Sequence, residues 1–215
     1  MASKLDEDSR ERLSVRMCDL GRKEDISELF NFIESTMGRL DVCVNCAGFS
    51  HYTTLTDGDA EQWEQMLNVN VLAVAVCSKE AIGLMRKHGD NSGHIVNISS
   101  NLAHYGPPSD HNYLRFYSCT KFALKSFNEG LRQELRDQKS SIRISSISPG
   151  LVRTEFMGSV LKTHPEKLEN YYDQYPALEP SDVAGAVIYA LSTPRHVEIN
   201  EIVMYSTEKI ADYSD

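Results

Sequence analysis

Short apolar runs alternate along this chain with longer stretches in which apolar residues recur every three or four positions. Residues 24–36 put Ile26, Leu29, Phe30 and Ile33 on one face of a helix, which Gly38 is placed to end. Residues 40–44 form an unbroken apolar run leading into Asn45-Cys46-Ala47-Gly48, the pattern of a strand covered on both faces. Asp59, with Glu61 in the first turn, predicts the cap of a helix that continues, with a break near Asn68 to Asn70, to about Lys87. Residues 94–99 and 142–147 are two more buried strands, the second ending in Ser148-Pro149-Gly150. Between them lies a loop containing proline, residues 101–115, and then a helix striped by Tyr117, Leu124, Phe127, Leu131 and Leu135. Residues 182–191 read as a helix and 201–205 as a last strand. At the front, residues 3–13 read as the tail of a charged helix, and 14–17 as a short strand entering Cys18-Asp19-Leu20.

Strands and helices that alternate predict a single α/β domain over residues 1–215, a three-layer Rossmann-type parallel sheet. Sheets of that kind bind ligands beyond the C-terminal ends of their strands. Those ends carry Asp19, Asn45 with Gly48, Ser99 with Ser100, and Pro149 with Gly150. No internal repeat or linker interrupts the pattern.

Composition narrows the classes of function. A net charge of -9 over 215 residues argues against a general binder of nucleic acid or anionic membrane. The first twelve residues hold no apolar leader, and the longest apolar run, residues 71–77, is too short to span a bilayer. Five cysteines, an odd number, point to reduced thiols and a cytoplasmic setting. Cys43-x-x-Cys46 falls inside a strand pattern and has no second pair, which disfavours a metal or redox site.

Tyr117 and Lys121 are four residues apart, one turn on the same side of their helix. A phenol titrates near pH ~10, and bringing it to ~7 takes about 4 kcal/mol of preference for the phenolate. One ammonium at ~4 Å supplies roughly that at an effective dielectric of about 20. Where water is excluded, the pair becomes a tuned acid/base.

The chain resembles the short-chain dehydrogenase/reductase superfamily from about Leu13 onward. The matching pieces arrive in family order: Cys18-Asp19-Leu20, Asn45-Cys46-Ala47-Gly48, Asn68-Val69-Asn70-Val71, the run from Gly93 to Ser100, Tyr117-x-x-x-Lys121, and Ser148-Pro149-Gly150 through Thr154. Each is weak singly; six in order are specific. The stretch from Glu129 to Arg136 is most similar to a cytosolic subgroup, dehydrogenase/reductase family member 11, which insect farnesol dehydrogenases also resemble. The resemblance implies hydride transfer between a nicotinamide and a carbonyl or alcohol. Tyr117 would exchange a proton with the substrate oxygen, and Lys121 would lower its pKa and bond the nicotinamide ribose. Ser100, with adjacent Ser99 as the alternative, would hold the substrate oxygen, and Asn70 would hold a water of the proton relay. Asp19 and Leu20 would meet the adenine, and Asn45, Ala47 and Gly48 the adjacent ribose. Pro149, Gly150, Val152 and Thr154 would line the nicotinamide amide and pyrophosphate. Each position also has a local reading: Asn70 bracing backbone, Asp19 capping a helix, Ser100 closing a turn, and Gly48 and Gly150 as turn glycines.

One departure is large. A glycine-rich turn between a first strand and helix should hold the pyrophosphate, and none of the 12 glycines forms one. The expectation is a fold lacking its first βαβ portion, with two unpaired sheet edges, one at residues 14–17 and one at 40–44. The residues that separate NAD from NADP are absent with it; the subgroup resemblance favours NADP. Two outcomes follow: an oxidoreductase, or a catalytically silent fragment acting, if at all, as a binding or regulatory protein. A smaller departure is Cys46 where the family usually has Asn, expected to weaken a backbone brace and touch no catalytic group. Residues 151–178 occupy the position of the family's substrate cover. Their Phe156, Met157, Val160, Leu161, Leu168, Tyr171, Tyr172 and Tyr175 point to a hydrophobic carbonyl or alcohol (a steroid, prenyl alcohol or quinone-like compound) or else to core. The resemblance also implies a homodimer or homotetramer formed through the helices around residues 63–87 and 117–136.

Overall fold

The computed structural model describes residues 12–87 and 91–208. In chain order they form α1 (Lys23–Met37), β1 (Val42–Asn45), α2 (Ala60–Leu67), a π-helical turn (Asn68–Ala73), α3 (Val74–Lys87), β2 (Ser92–Ile98), 3-10 turns at Asn101–Ala103 and Ser109–Leu114, α4 (Arg115–Asp137), β3 (Ser141–Pro149), three short helices α5 (Glu155–Val160), α6 (Pro165–Leu168) and α7 (Tyr171–Gln174), α8 (Pro180–Ser192) and β4 (Glu201–Met204). The four strands are parallel, in the order β1-β2-β3-β4.

The predicted caps are present. Gly38 closes α1 at φ 73°, a left-handed conformation that suits glycine. Asp59 accepts the Glu61 N–H at 2.9 Å to start α2. The break near Asn68 is the π-turn, which widens the helix by one residue and turns Asn70 fully inward. The joined helix Ala60–Lys87 is, by length and composition, able to cross a membrane. Here it lies on the sheet, with Ala73, Cys77, Ala81 and Met85 in the core.

Strand alternation separates two faces. Ile95, paired with Ile144, packs under α1 and α3 in one cluster. Val44 and Ile98 face the other way and share a cavity wall with Val183 and Val187 of α8. Helices on both sides make the three-layer α/β arrangement expected of a Rossmann-type sheet. A second cluster (Met66, Leu102, Tyr113, Leu114, Tyr117, Met157 and neighbours) lies beyond the strand ends.

Polar bonds seat α4 on the sheet. Asn45 Nδ2 donates to Asn97 Oδ1 (2.8 Å), Asn97 Nδ2 to Asn128 Oδ1 (2.6 Å), and Asn128 Nδ2 to Ser146 Oγ (2.6 Å). This amide ladder crosses β1, β2, α4 and β3. Arg132, 5% exposed, adds bonds to the Ile144 and Asn200 carbonyls at 3.1 and 3.3 Å. A buried ladder with each member partnered sets one register for α4, and with it Tyr117 and Lys121.

Three expectations are corrected. Residues 14–17 make no strand: Val15 is 76% exposed and Met17 wholly so, because a strand without a neighbour leaves its N–H and C=O groups to water. Of the two expected bare edges, only that of β1 is therefore a strand edge. Among the described residues nothing pairs with it, and Val42 and Val44 are exposed there. The loop at 101–115 contains two ordered 3-10 turns. The helix expected at residues 3–13 falls almost wholly outside the described residues.

Candidate active site

Beyond the C-terminal ends of the strands lies a cavity of about 630 Å³. Gly48, Ser99, Ser100, Tyr117 and Lys121 line it, as do Pro149, Gly150, Val152 and Thr154. Nine positions from four separate stretches of sequence thus meet in one place, as the alternating pattern requires. Leu102, Leu114, Phe156 and Met157 supply apolar wall.

α4 brings Tyr117 and Lys121 to this cavity nearly dry, at 9% and 3% exposure. Lys121 Nζ donates to the Ile98 carbonyl at 3.0 Å and lies 5.4 Å from the centre of the Tyr117 ring. Gly48 leaves room for it: a Cβ there would stand 3.7 Å from Nζ and 3.3 Å from Asn70 Oδ1. The phenol stands near enough to Ser100 for the serine to act on its titration. Ser100 Oγ donates to Asn101 Oδ1 at 3.1 Å and accepts the Leu102 N–H at 3.1 Å. Asn101 is held in turn by the Tyr105 hydroxyl.

Electrostatics here run opposite to the sequence expectation. Burial raises the Tyr117 phenol above its ordinary value, only partly offset by Ser100. Burial also draws the Lys121 ammonium down to about 8, with a small opposing contribution from Cys46. Desolvation therefore dominates at both groups, and both hold their protons at neutral pH. Cys46 lines the same cavity. The Cys43 thiol is pushed by burial to about 12, which removes any reactive Cys-x-x-Cys pair.

Five candidates do not reach the cavity. Asn70 Nδ2 donates to the Phe49 carbonyl (2.9 Å) and to Thr120 Oγ1 (3.2 Å), while its Oδ1 accepts the Phe49 N–H (3.0 Å). With both amide protons spent, the side chain braces the loop after Gly48 and has no donor left for a water. Asn45 is consumed in the amide ladder, and Ala47 is exposed outside the cavity lining. Asp19 Oδ1 accepts the Gly21 N–H at 2.9 Å, a local turn, and Leu20 packs against the α1 core. Sequence reasoning passed over Asn101, the Ile98 carbonyl and His111, all on the cavity wall. Asn101 adjoins a residue that was singled out; His111 sat in a stretch read as loop and left no periodic signal.

Of the eight residues singled out in 151–178, Phe156, Met157 and Tyr171 line the cavity, while Val160 and Leu161 are core.

Lys121 fits a ribose: one bond to Ile98 accounts for one of its three donors, and Nζ faces the cavity. Pro149, Gly150 and Thr154 line the same cavity. When bound there, a reduced nicotinamide supplies the hydride.

Comparison with known proteins places this geometry. The short chain dehydrogenase family matches residues 1–165. Dehydrogenase/reductase SDR family member 11 of Bos taurus is 45% identical over 193 residues, covering 90% of this chain and 75% of that protein. Farnesol dehydrogenase of Aedes aegypti is 34% identical, with 95% of this chain and 79% of that protein covered. Among solved structures, the closed form of a serine dehydrogenase complexed with NADP+ superposes with a TM-score of 0.79 at 28% identity, covering 89% of this chain and 75% of that one.

Proposed function

The chain belongs to the short-chain dehydrogenase family, and on that premise we propose that it is a nicotinamide-dependent oxidoreductase reducing a hydrophobic carbonyl to an alcohol. The observation that carries the reading is the convergence of Ser100, Tyr117 and Lys121 on one largely dry cavity with apolar walls. Ser100 turns its hydroxyl proton from Asn101 to the substrate oxygen. Tyr117 starts protonated, the state raised by burial, and gives its proton to that oxygen as charge develops on it. Lys121, still an ammonium at neutral pH, stabilises the phenolate left behind, an interaction strengthened by the low dielectric. A protonated Tyr117 is the form that reduction calls on.

Leu102, Leu114, Phe156 and Met157 suit an apolar compound such as a prenyl, steroid or quinone-like carbonyl. NADP is the preferred cofactor, a choice supported by the NADP+ complex of the serine dehydrogenase relative. The free thiols of all five described cysteines support a cytoplasmic setting.

Titration of the 215-residue chain with NADPH, followed by reduced-nicotinamide fluorescence, should give saturable binding below millimolar cofactor. A linear response through that range would leave an acid/base pair without its hydride source, and the reading of a silent fragment would replace this one.

Self-association through α2–α3 and α4 completes the proposal. Leu67, Leu72 and Phe122 are 42%, 57% and 44% exposed on these helices, apolar surface that an interface would cover. Gel filtration should show a dimer or tetramer that Phe122→Glu shifts toward monomer; a monomer at every concentration rejects that association.

A further inference from the structure

The cavity carries a positive charge that nothing in its wall balances. Lys121 is 3% exposed, and burial brings its ammonium down only to about 8, so it is charged at neutral pH. Among the described residues no aspartate or glutamate lines the cavity, and apart from burial only Cys46 acts on the lysine. The bond from Nζ to the Ile98 carbonyl, at 3.0 Å, meets a dipole and not a counter-charge, and it uses one of three protons. A charge held out of water is ordinarily paired. Ser99, the next residue after Ile98, is 5% exposed, and its Oγ has no hydrogen-bond partner among the described residues. Buried hydroxyls are nearly always bonded, so this one calls for an acceptor that the chain does not supply. Ser99 and Lys121 line the same cavity and meet at the same peptide of β2.

From this polar end the wall turns aliphatic. Ile98 joins the two parts: its carbonyl accepts from Lys121, and its side chain lines the cavity with Val44 of β1 and Val183, Ala184 and Val187 of α8. α8 is apolar on every side from Val183 to Leu191, yet Ala190 is its one buried residue. A helix of that composition is ordinarily covered all round. Val44 and Ile188, at 43% and 66% exposure, leave this arm of the cavity open along one side. A flexible hydrocarbon chain laid along it covers carbon that otherwise meets water.

We propose that the cavity binds an aliphatic monocarboxylate, its carboxylate held between Lys121 and Ser99 and its chain lying along Val44, Ile98, Val183 and Val187. Charge selects the head group: a carboxylate balances the ammonium and accepts from the hydroxyl, whereas an alcohol of equal length brings no charge. Apolar area selects the chain. The ligand class is distinct from the neutral carbonyl proposed as substrate. A ribose would use the same ammonium, so a nicotinamide and the carboxylate exclude one another.

Calorimetric titration of the 215-residue chain with sodium octanoate, decanoate and dodecanoate tests this. One site is expected, with Kd falling roughly three- to fourfold for each added methylene. Decanoate should bind at least about tenfold more tightly than 1-decanol, the scale of a hydrogen bond to a charged group. Lys121→Met should bring decanoate down to the level of decanol. Ser99→Ala should weaken decanoate roughly threefold or more and leave decanol unchanged. Val187→Trp, which fills the aliphatic arm from a partly exposed position on α8, should weaken acid and alcohol alike. Equal affinity of the wild type for decanoate and decanol overturns the charged end, as does a preference for the acid that survives Lys121→Met. Affinity that does not grow with chain length, or that Val187→Trp leaves unchanged, overturns the aliphatic arm. Several carboxylates bound per chain would mean a non-specific surface and overturn the site. The titration contains neither nicotinamide nor a reducible carbonyl, so its failure is separate from failure of the oxidoreductase reading.

Discussion

Tyr117→Phe is expected to lower NADPH-dependent carbonyl reduction by at least ~100-fold, the scale of a lost general acid, while NADPH affinity changes less than about twofold. The substitution removes one hydroxyl from a side chain that is already 9% exposed, so the cavity keeps its shape. Ser100 is held separately by the Leu102 N–H and Asn101, so the serine stays in place. Ground-state binding is thus spared and the proton transfer is lost, a pattern read as a fall in kcat with KM little changed. Activity above about a tenth of wild type would mean that another group delivers the proton.

Lys121→Met should produce a rarer combination: turnover lost and stability gained. Burial lowers the ammonium from 10.5 to about 8. At pH 7 it is nonetheless charged, so the folded chain carries a cost of about 3 kcal/mol relative to the unfolded one. Methionine fills a similar volume without that cost. It gives up the bond to the Ile98 carbonyl, a loss of about 1 kcal/mol. The balance is a gain of roughly 1–2 kcal/mol, or about 4 °C in Tm for a chain of this size.

The pH dependence has a definite sign. Because the folded pKa of Lys121 lies below the unfolded one, the unfolded chain binds more protons between about pH 8 and 10.5. Wild-type stability should therefore climb across that window, and the methionine variant should lack this increment. A variant less stable than wild type at pH 7, or a wild type without the climb, contradicts the buried-charge account. Retaining a residue that costs stability is expected where the charge serves a reaction.

His94 illustrates buried chemistry with a structural role. Ser145 Oγ donates to the Ile199 carbonyl and lies 2.8 Å from His94 Nε2, while the buried Nδ1 has no partner. Protonating Nδ1 would add a charge with neither water nor an acceptor, beside Arg143. Burial first, and then Arg143, lower its pKa to about 4. Perturbed titration alone does not mark an active site; His94 sits within β2, away from the cavity lining.

The amino-acid pattern by itself determined a great deal. Continuous apolar runs and three-four spacing identified four parallel strands and the helices between them, because burial on both faces of a sheet leaves no other arrangement of polarity. Gly48, Ser99, Ser100 and Pro149-Gly150, which follow those runs, line one cavity with Tyr117 and Lys121 of α4. Residues 14–17 failed as a strand because strand propensity is realised only beside a partner, and partners are a property of the fold. Only the tertiary structure decided what each polar side chain was free to do. Asn45 and Asn70 have the right identities, yet their amides are spent on Asn97 and on the Phe49 backbone. Spacing could place the lysine near the phenol but could not give the depth of burial, and burial set the direction of both shifts. The Asp110–His111–Tyr171 contact joins positions 60 residues apart, beyond any local period, and only close packing beyond the strand ends brings them together.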